Sequence, residues 1–193
     1  MHLASSRVAL SRLLAQCVDR ASYHTEALRN SPMKQLDYKL FADFFQFYLQ
    51  DESCPNDDPG GLWTREALDR LLAVGSGIVM VGTVRNMTVP VTIEIRETEP
   101  DDDLNKWDQV NECPLDVPSG RIVVAGCTDY FPDAARITVS PGSYRVRLYY
   151  GNLDALSEDG LEGRDVYRVA IWPDDAHVAV RVIKQRKIEG KSH

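Results

Sequence analysis

Histidine is scarce in this chain of 193 residues: there are four, and His2, His24 and His193 lie toward the ends. His177 alone belongs to the body, so a Ser-His-Asp or Cys-His site would have to be built on that one imidazole. No G-x-S-x-G elbow, H-E-x-x-H helix, Walker loop or G-x-G-x-x-G turn occurs. The four cysteines, Cys17, Cys54, Cys113 and Cys127, include no C-x-x-C pair, so the close ligand pairs of a structural zinc site are missing. Reduced, unpaired thiols in a cytosolic protein are the expectation. Cys127 lies on an apolar run and reads as a small hydrophobe rather than a nucleophile. These absences argue against an enzyme, and a small hydrolase is the weakest reading. Long apolar runs are missing too. The longest, residues 77–82 and 122–127, are strand-sized against the roughly 20 residues of a membrane helix. No membrane partner is expected.

What is present is ordinary globular composition, with 44% hydrophobic and 26% charged residues, and length for one domain with some to spare. The charge is unevenly placed. Residues 1–35 carry +3 and residues 181–193 carry +4, while the stretch between them holds twelve basic and twenty-six acidic residues, a net −14. Nucleic-acid affinity rests on Lys and Arg displacing counterions, so such a body repels phosphate. It suits a basic protein partner instead.

Three regions follow: an extension over 1–35, a β domain over 36–184 and a basic tail over 185–193. In the extension Leu10, Leu13, Leu14, Cys17 and Val18 recur at helical spacing, and Met33 offers a second start. The body then turns to period two. Leu36, Tyr38, Leu40 and Ala42 share one parity and Phe45, Phe47 and Leu49 the other, a switch that predicts a bulged strand. One helix is expected, with Thr64 as N-cap, Trp63 and Leu68 as staple, Leu68, Leu71 and Leu72 buried, and Gly75 closing it. Val89, Val91, Ile93 and Ile95 alternate on a strand that Pro90 marks as an edge or a bulge. Residues 97–120 read as an acidic connection with a short strand near 113–117. Five more strands are expected over 121–128, 136–139, 144–150, 166–172 and 178–183, with Arg145 and Arg147 facing outward and paired to carboxylates across the sheet. Short strands with a single helix predict a mainly β protein, an antiparallel β-sandwich.

Carboxylates gather in loops. Asp57 and Asp58 form one group, Asp101, Asp102 and Asp103 a second, and Asp154, Glu158, Asp159, Glu162 and Asp165 a third. The second and third are the candidate partner-binding residues. Loops of this kind could also collect the six to eight oxygens calcium needs, as in a C2-like calcium or lipid binder. The spacing matches no EF-hand, so no metal is assigned.

The order of several short motifs carries a further reading. Tyr38, Phe44, Phe47 and Gln50-Asp51 precede Trp63-Thr64-x-Glu66-Ala67, Gly77-Ile78 and Arg85-Asn86, followed by Pro114-Leu115-x-Val117, Pro141-Gly142 and Tyr144-x-Val146. Over residues 36–172 this resembles the competence protein J family, small bacterial proteins whose named member inhibits a DNA-entry nuclease. The chain departs from the family in its long loop over 151–165. The resemblance implies a cytosolic protein that binds a nuclease or toxin, without catalytic residues or cofactor. The acidic body fits that role, since a nuclease is electropositive where it holds phosphate.

Overall fold

The computed structural model describes residues 32–54, 59–101, 104–176 and 178–187. The expected amino-terminal helix, Asp57, Asp58, Asp102, Asp103 and His177 lie outside these. Strands β1 (Lys34–Phe41), β5 (Thr88–Ile95), β6 (Gln109–Val117), β9 (Gly142–Gly151), β10 (Val166–Pro173) and β11 (Arg181–Lys184) form a six-stranded sheet in the order β1-β5-β10-β9-β6-β11. Strands β2 (Gln46–Asp51), β3 (Leu72–Gly75), β4 (Ile78–Gly82), β7 (Arg121–Gly126) and β8 (Ala135–Thr138) form a five-stranded sheet in the order β3-β4-β2-β7-β8. The two sheets make a mainly β sandwich, antiparallel throughout except for the parallel pair of β5 and β10.

Period-two alternation builds the core between the sheets. Val89, Val91 and Ile93 of β5, Val146, Leu148 and Tyr150 of β9, and Val169 and Ile171 of β10 face Phe47, Leu49, Val79, Val81, Ile122 and Val124 of the other sheet. Tyr167 meets Phe47 and Tyr150 edge-on at centroid separations of 6.0 and 5.9 Å, the favoured geometry for aromatic quadrupoles.

Several expectations need correction. The parity switch near residue 42 is no bulge: β1 belongs to one sheet and β2 to the other, and a short 3-10 turn over Asp43–Phe45 carries the chain between them. Phe45 therefore points outward instead of joining Phe47 in the core. Thr64 does cap the helix α1 (Arg65–Asp69), its Oγ1 accepting from Ala67 N at 3.2 Å. The helix stops at once, however, because Leu71 adopts φ 55° and Leu72 already begins β3. Ala67 is its buried residue, and Leu68 is exposed. Pro90 lies on an interior strand, at a point that precedes the first β10 partner, Tyr167 opposite Val91. The acidic connection contains β6, longer than expected and paired along its whole length with β9.

Arg145 and Arg147 do lie on the outer face of the six-stranded sheet, and both are buried there. Glu112, directly across on β6 and fully buried, accepts from Arg147 Nε at 2.6 Å, Arg181 Nε at 2.8 Å and Arg145 Nη1 at 3.4 Å. Asp174 takes a second bond from Arg145 at 2.6 Å, and Glu99 pairs with Arg147. Beside them Glu94 holds Arg168 through two bonds of 2.8 Å, while Arg147 and Arg168 stack over Trp172 and Tyr149 at 5.3 and 4.6 Å. Trp107 and Leu104 close over Tyr149 and Val110. This face is sealed by its own ion pairs and aromatics.

Burial pushes the Glu112 carboxyl up, but the hydrogen bonds from Arg181 and Arg147 outweigh it and hold the group below the ordinary 4.5. A depressed folded-state value stabilises the fold fully above the unfolded value, and that contribution fades as pH falls through the folded one. Glu112→Ala strands buried guanidinium charge, an expected loss of about 3–5 kcal/mol by urea unfolding at pH 7. Glu112→Gln should also flatten the loss of stability expected of wild-type protein as pH falls below 4.5.

Candidate functional site

The loop between β9 and β10 is an ordered hairpin. Leu156 and Gly163 form an antiparallel bridge, Ser157 N donates to Glu162 O at 2.8 Å, and Gly160 turns the tip at φ 69°. Asp159 Oδ1 accepts from Ser157 Oγ at 2.6 Å and Leu161 N at 3.0 Å. Those two donors, the hydroxyl first, hold its carboxyl below the ordinary range. Glu158, Asp159, Leu161 and Glu162 are all exposed at this tip.

A buried ion pair fixes the hairpin to the body. Arg85, on the segment after β4, donates from Nε to Asp165 Oδ1 at 2.5 Å and from Nη1 to Leu161 O at 3.2 Å. Asp165 Oδ2 accepts from Tyr167 Oη at 3.0 Å, and the same phenol oxygen accepts from Val84 N at 3.0 Å. A side chain at Gly163 would run into the Arg85 guanidinium, with a Cβ only 2.9 Å from Nε.

Beside this anchor the sheet-to-sheet turn forms an apolar recess of about 380 Å³, lined by Phe44, Phe45, Gln46, Trp63, Leu68, Leu71, Gly82 and Thr83. Phe44, Phe45 and Leu68 are 67%, 53% and 57% exposed. Phe44 and Phe45 adopt φ 54° and 59°, which costs non-glycine residues roughly 1–3 kcal/mol each. Local bonds hold them there: Phe44 N donates to Asp43 Oδ1 at 2.9 Å, and Thr83 N donates to Phe45 O at 2.7 Å. Among the described residues four non-glycines have positive φ. Three of them, Phe44, Phe45 and Leu71, line this recess, and the fourth, Asn152, opens the acidic hairpin.

The structure separates the predicted partner-binding residues into different roles. Glu158, Asp159 and Glu162 come together on the hairpin tip. Asp154 is exposed but paired with Arg186. Asp165 is buried under Arg85 and Tyr167 and anchors the loop, so it displays no charge to a partner. Asp101 is exposed after Pro100, whose carbonyl accepts from Arg147 on the outer face of the six-stranded sheet. Sequence reasoning missed the apolar recess, although the break in alternation around Phe44-Phe45 was its signal, since two adjacent aromatics cannot share one face of a strand.

Cys127 is half-buried, and its sulfur accepts from Tyr48 Oη at 2.8 Å and Gln46 Nε2 at 3.7 Å. Burial first, and then that bond, push the Tyr48 hydroxyl upward, so it stays a proton donor and is no base for the thiol. Among the described residues no three His, Cys, Asp or Glu side chains converge as a metal site, and no helix is long and apolar enough to cross a membrane.

Removing one member of the anchor leaves a buried charge unpaired. Arg85→Ala should lower unfolding free energy by about 3–5 kcal/mol, whereas Arg85→Met with Asp165→Leu should recover much of it. Limited proteolysis should cut within residues 153–164 in the single variant well before wild type.

No family model and no curated protein matches the sequence. Solved structures do match. ComJ from Bacillus subtilis, described as an inhibitor of the DNA degrading activity of NucA, superposes with a TM-score of 0.55 at 14% identity, covering 75% of this chain and 98% of that one. The crocagin biosynthetic gene J product superposes at 0.51 with 21% identity, covering 73% and 97%. The chain has a ComJ-like fold.

Proposed function

We propose that this protein binds and inhibits a nuclease or toxin, of the competence-nuclease-inhibitor or immunity type, by occluding an electropositive active-site groove with its acidic hairpin end. The observation that carries this reading is the ComJ-like fold across three quarters of the chain, shared with a protein whose action is inhibition of a nuclease. The net −14 of the central body and the exposed Glu158, Asp159 and Glu162 support it, because a groove that holds phosphate attracts fixed carboxylates. The Arg85–Asp165 anchor presents those carboxylates on a pre-ordered loop, which reduces the ordering cost of binding. Inhibition on this basis needs neither cofactor nor chemistry from the inhibitor.

DNA degradation by NucA, and by any nuclease or toxin found encoded beside the gene, provides the test. The expected result is stoichiometric inhibition and an association rate that falls as salt rises, because exposed charges are screened beyond a Debye length of about 10 Å at 0.1 M. Combined Glu158→Lys, Asp159→Lys and Glu162→Lys should slow association by about tenfold or more while leaving the sandwich folded. Asp101→Lys with Asp102→Lys and Asp103→Lys measures the second cluster separately. Undiminished DNA degradation at excess inhibitor would overturn the reading.

A further inference from the structure

We propose that the recess between the Phe44-Phe45 turn and Leu68 is a docking site for one large apolar side chain, presented by a basic segment of a protein partner. The inference rests on the reading above for the partner being a protein, and it adds where affinity resides. The recess has the form of an anchor pocket: about 380 Å³, walled by Phe44, Phe45, Trp63, Leu68 and Leu71, open to solvent, with its aromatic rim more than half exposed. Interface energy concentrates where such an anchor fills a desolvated pocket ringed by polar groups. Stability does not account for the rim. Phe44 and Phe45 spend their side chains in water and their backbones in the left-handed region, where glycine would sit without strain.

Charge around the recess selects the partner. Asp43 adjoins Phe44, Glu66 and Asp69 flank Leu68 on α1, and Glu158, Asp159 and Glu162 stand on the hairpin that Arg85 ties to the same end. Arg65, Arg70, Arg164 and Lys187 oppose these six carboxylates; Arg70 turns its Nε to Leu72 O at 2.8 Å, and Arg186, on the tail that Gln185 ties to Asp69 O, is paired with Asp154. A cationic segment is therefore favoured over a neutral or acidic one, and over a nucleic acid. In this arrangement the acids govern encounter and the recess governs residence.

The probes are short lysine-rich peptides carrying a single Trp, Phe or Leu, and the same peptides with Ala at that position, titrated against the full chain. Wild type should bind the Trp, Phe or Leu peptides about tenfold or more tightly than their Ala counterparts, with affinity falling as salt rises. Phe44→Ala and Leu68→Glu should each abolish the discrimination. Phe44→Gly should do the same with a melting temperature equal to or above wild type. If Trp and Ala peptides bind alike, or if Phe44→Gly lowers the melting temperature and retains discrimination, the docking site is wrong. Peptide discrimination without nuclease inhibition would overturn the nuclease reading alone. Nuclease inhibition indifferent to Phe44→Ala and Leu68→Glu, with no peptide discrimination, would overturn the docking site alone.

Discussion

Asp165 and Arg85 meet in the interior at 2.5 Å, and the position of the acidic end depends on that pair. Isolated, either charge would be expelled from a site this dry. Together with the Tyr167 hydroxyl and the Leu161 carbonyl they satisfy one another and join three pieces of chain: the segment after β4, the hairpin after β9 and the start of β10. Tyr167 extends the constraint inward, since its ring packs edge-on against Phe47 of the opposite sheet. A loop of this length would otherwise sample many conformations, and its carboxylates would average into a diffuse negative cloud. Fixed to the core, they form a defined surface.

Charge usage elsewhere sharpens that surface. Part of the acidity of the body is spent internally, with Glu112 and Glu94 neutralised by arginines on the outer face of the six-stranded sheet and Asp51 held by Ser53 and Ser119. Trp107 and Leu104 pack over part of that outer face, with Ile183 of the edge strand β11 beside them. The outer face of the five-stranded sheet is partly covered as well, by Ala67 and Trp63 packed on Ala73, Ile78 and Met80. The hairpin end, by contrast, combines displayed carboxylates with exposed aromatics.

Much of the architecture was legible in the residues. Alternation located β5, β9 and β10, and the Thr64 cap was readable, although the apolar helix face expected after it is not there, Leu68 being exposed and Leu72 lying in β3. The pairing of Arg145 and Arg147 with carboxylates was also legible, although their burial was not. What escaped was information that exists only between elements. A parity switch looks the same whether a strand bulges or the chain changes sheets, and only the partners of β1 and β2 decide. Asp165 looks in the sequence like its neighbours Glu162 and Asp159, yet it faces Arg85, which lies 80 residues earlier. Net charge identifies how many carboxylates there are, and folding determines which of them reach solvent.

The clustering of left-handed residues at this end has a structural basis in the core beneath it. Each costs stability locally, and the cost is tolerable because the sandwich core is large and separately closed. Leu71 shows how the positions support each other: its carbonyl accepts from Gly82 N at 2.9 Å and Tyr150 Oη at 2.8 Å, and Gly82 has no side chain where a Cβ would come within 3.1 Å of Leu71 Cα. The floor of the recess is thus tied to the aromatic core through Tyr150, as the hairpin is through Tyr167. The two tyrosines are themselves in edge-on contact at 5.9 Å. Recess and hairpin share one rigid foundation, so the proposed docking would meet a preformed surface and would not have to organise it.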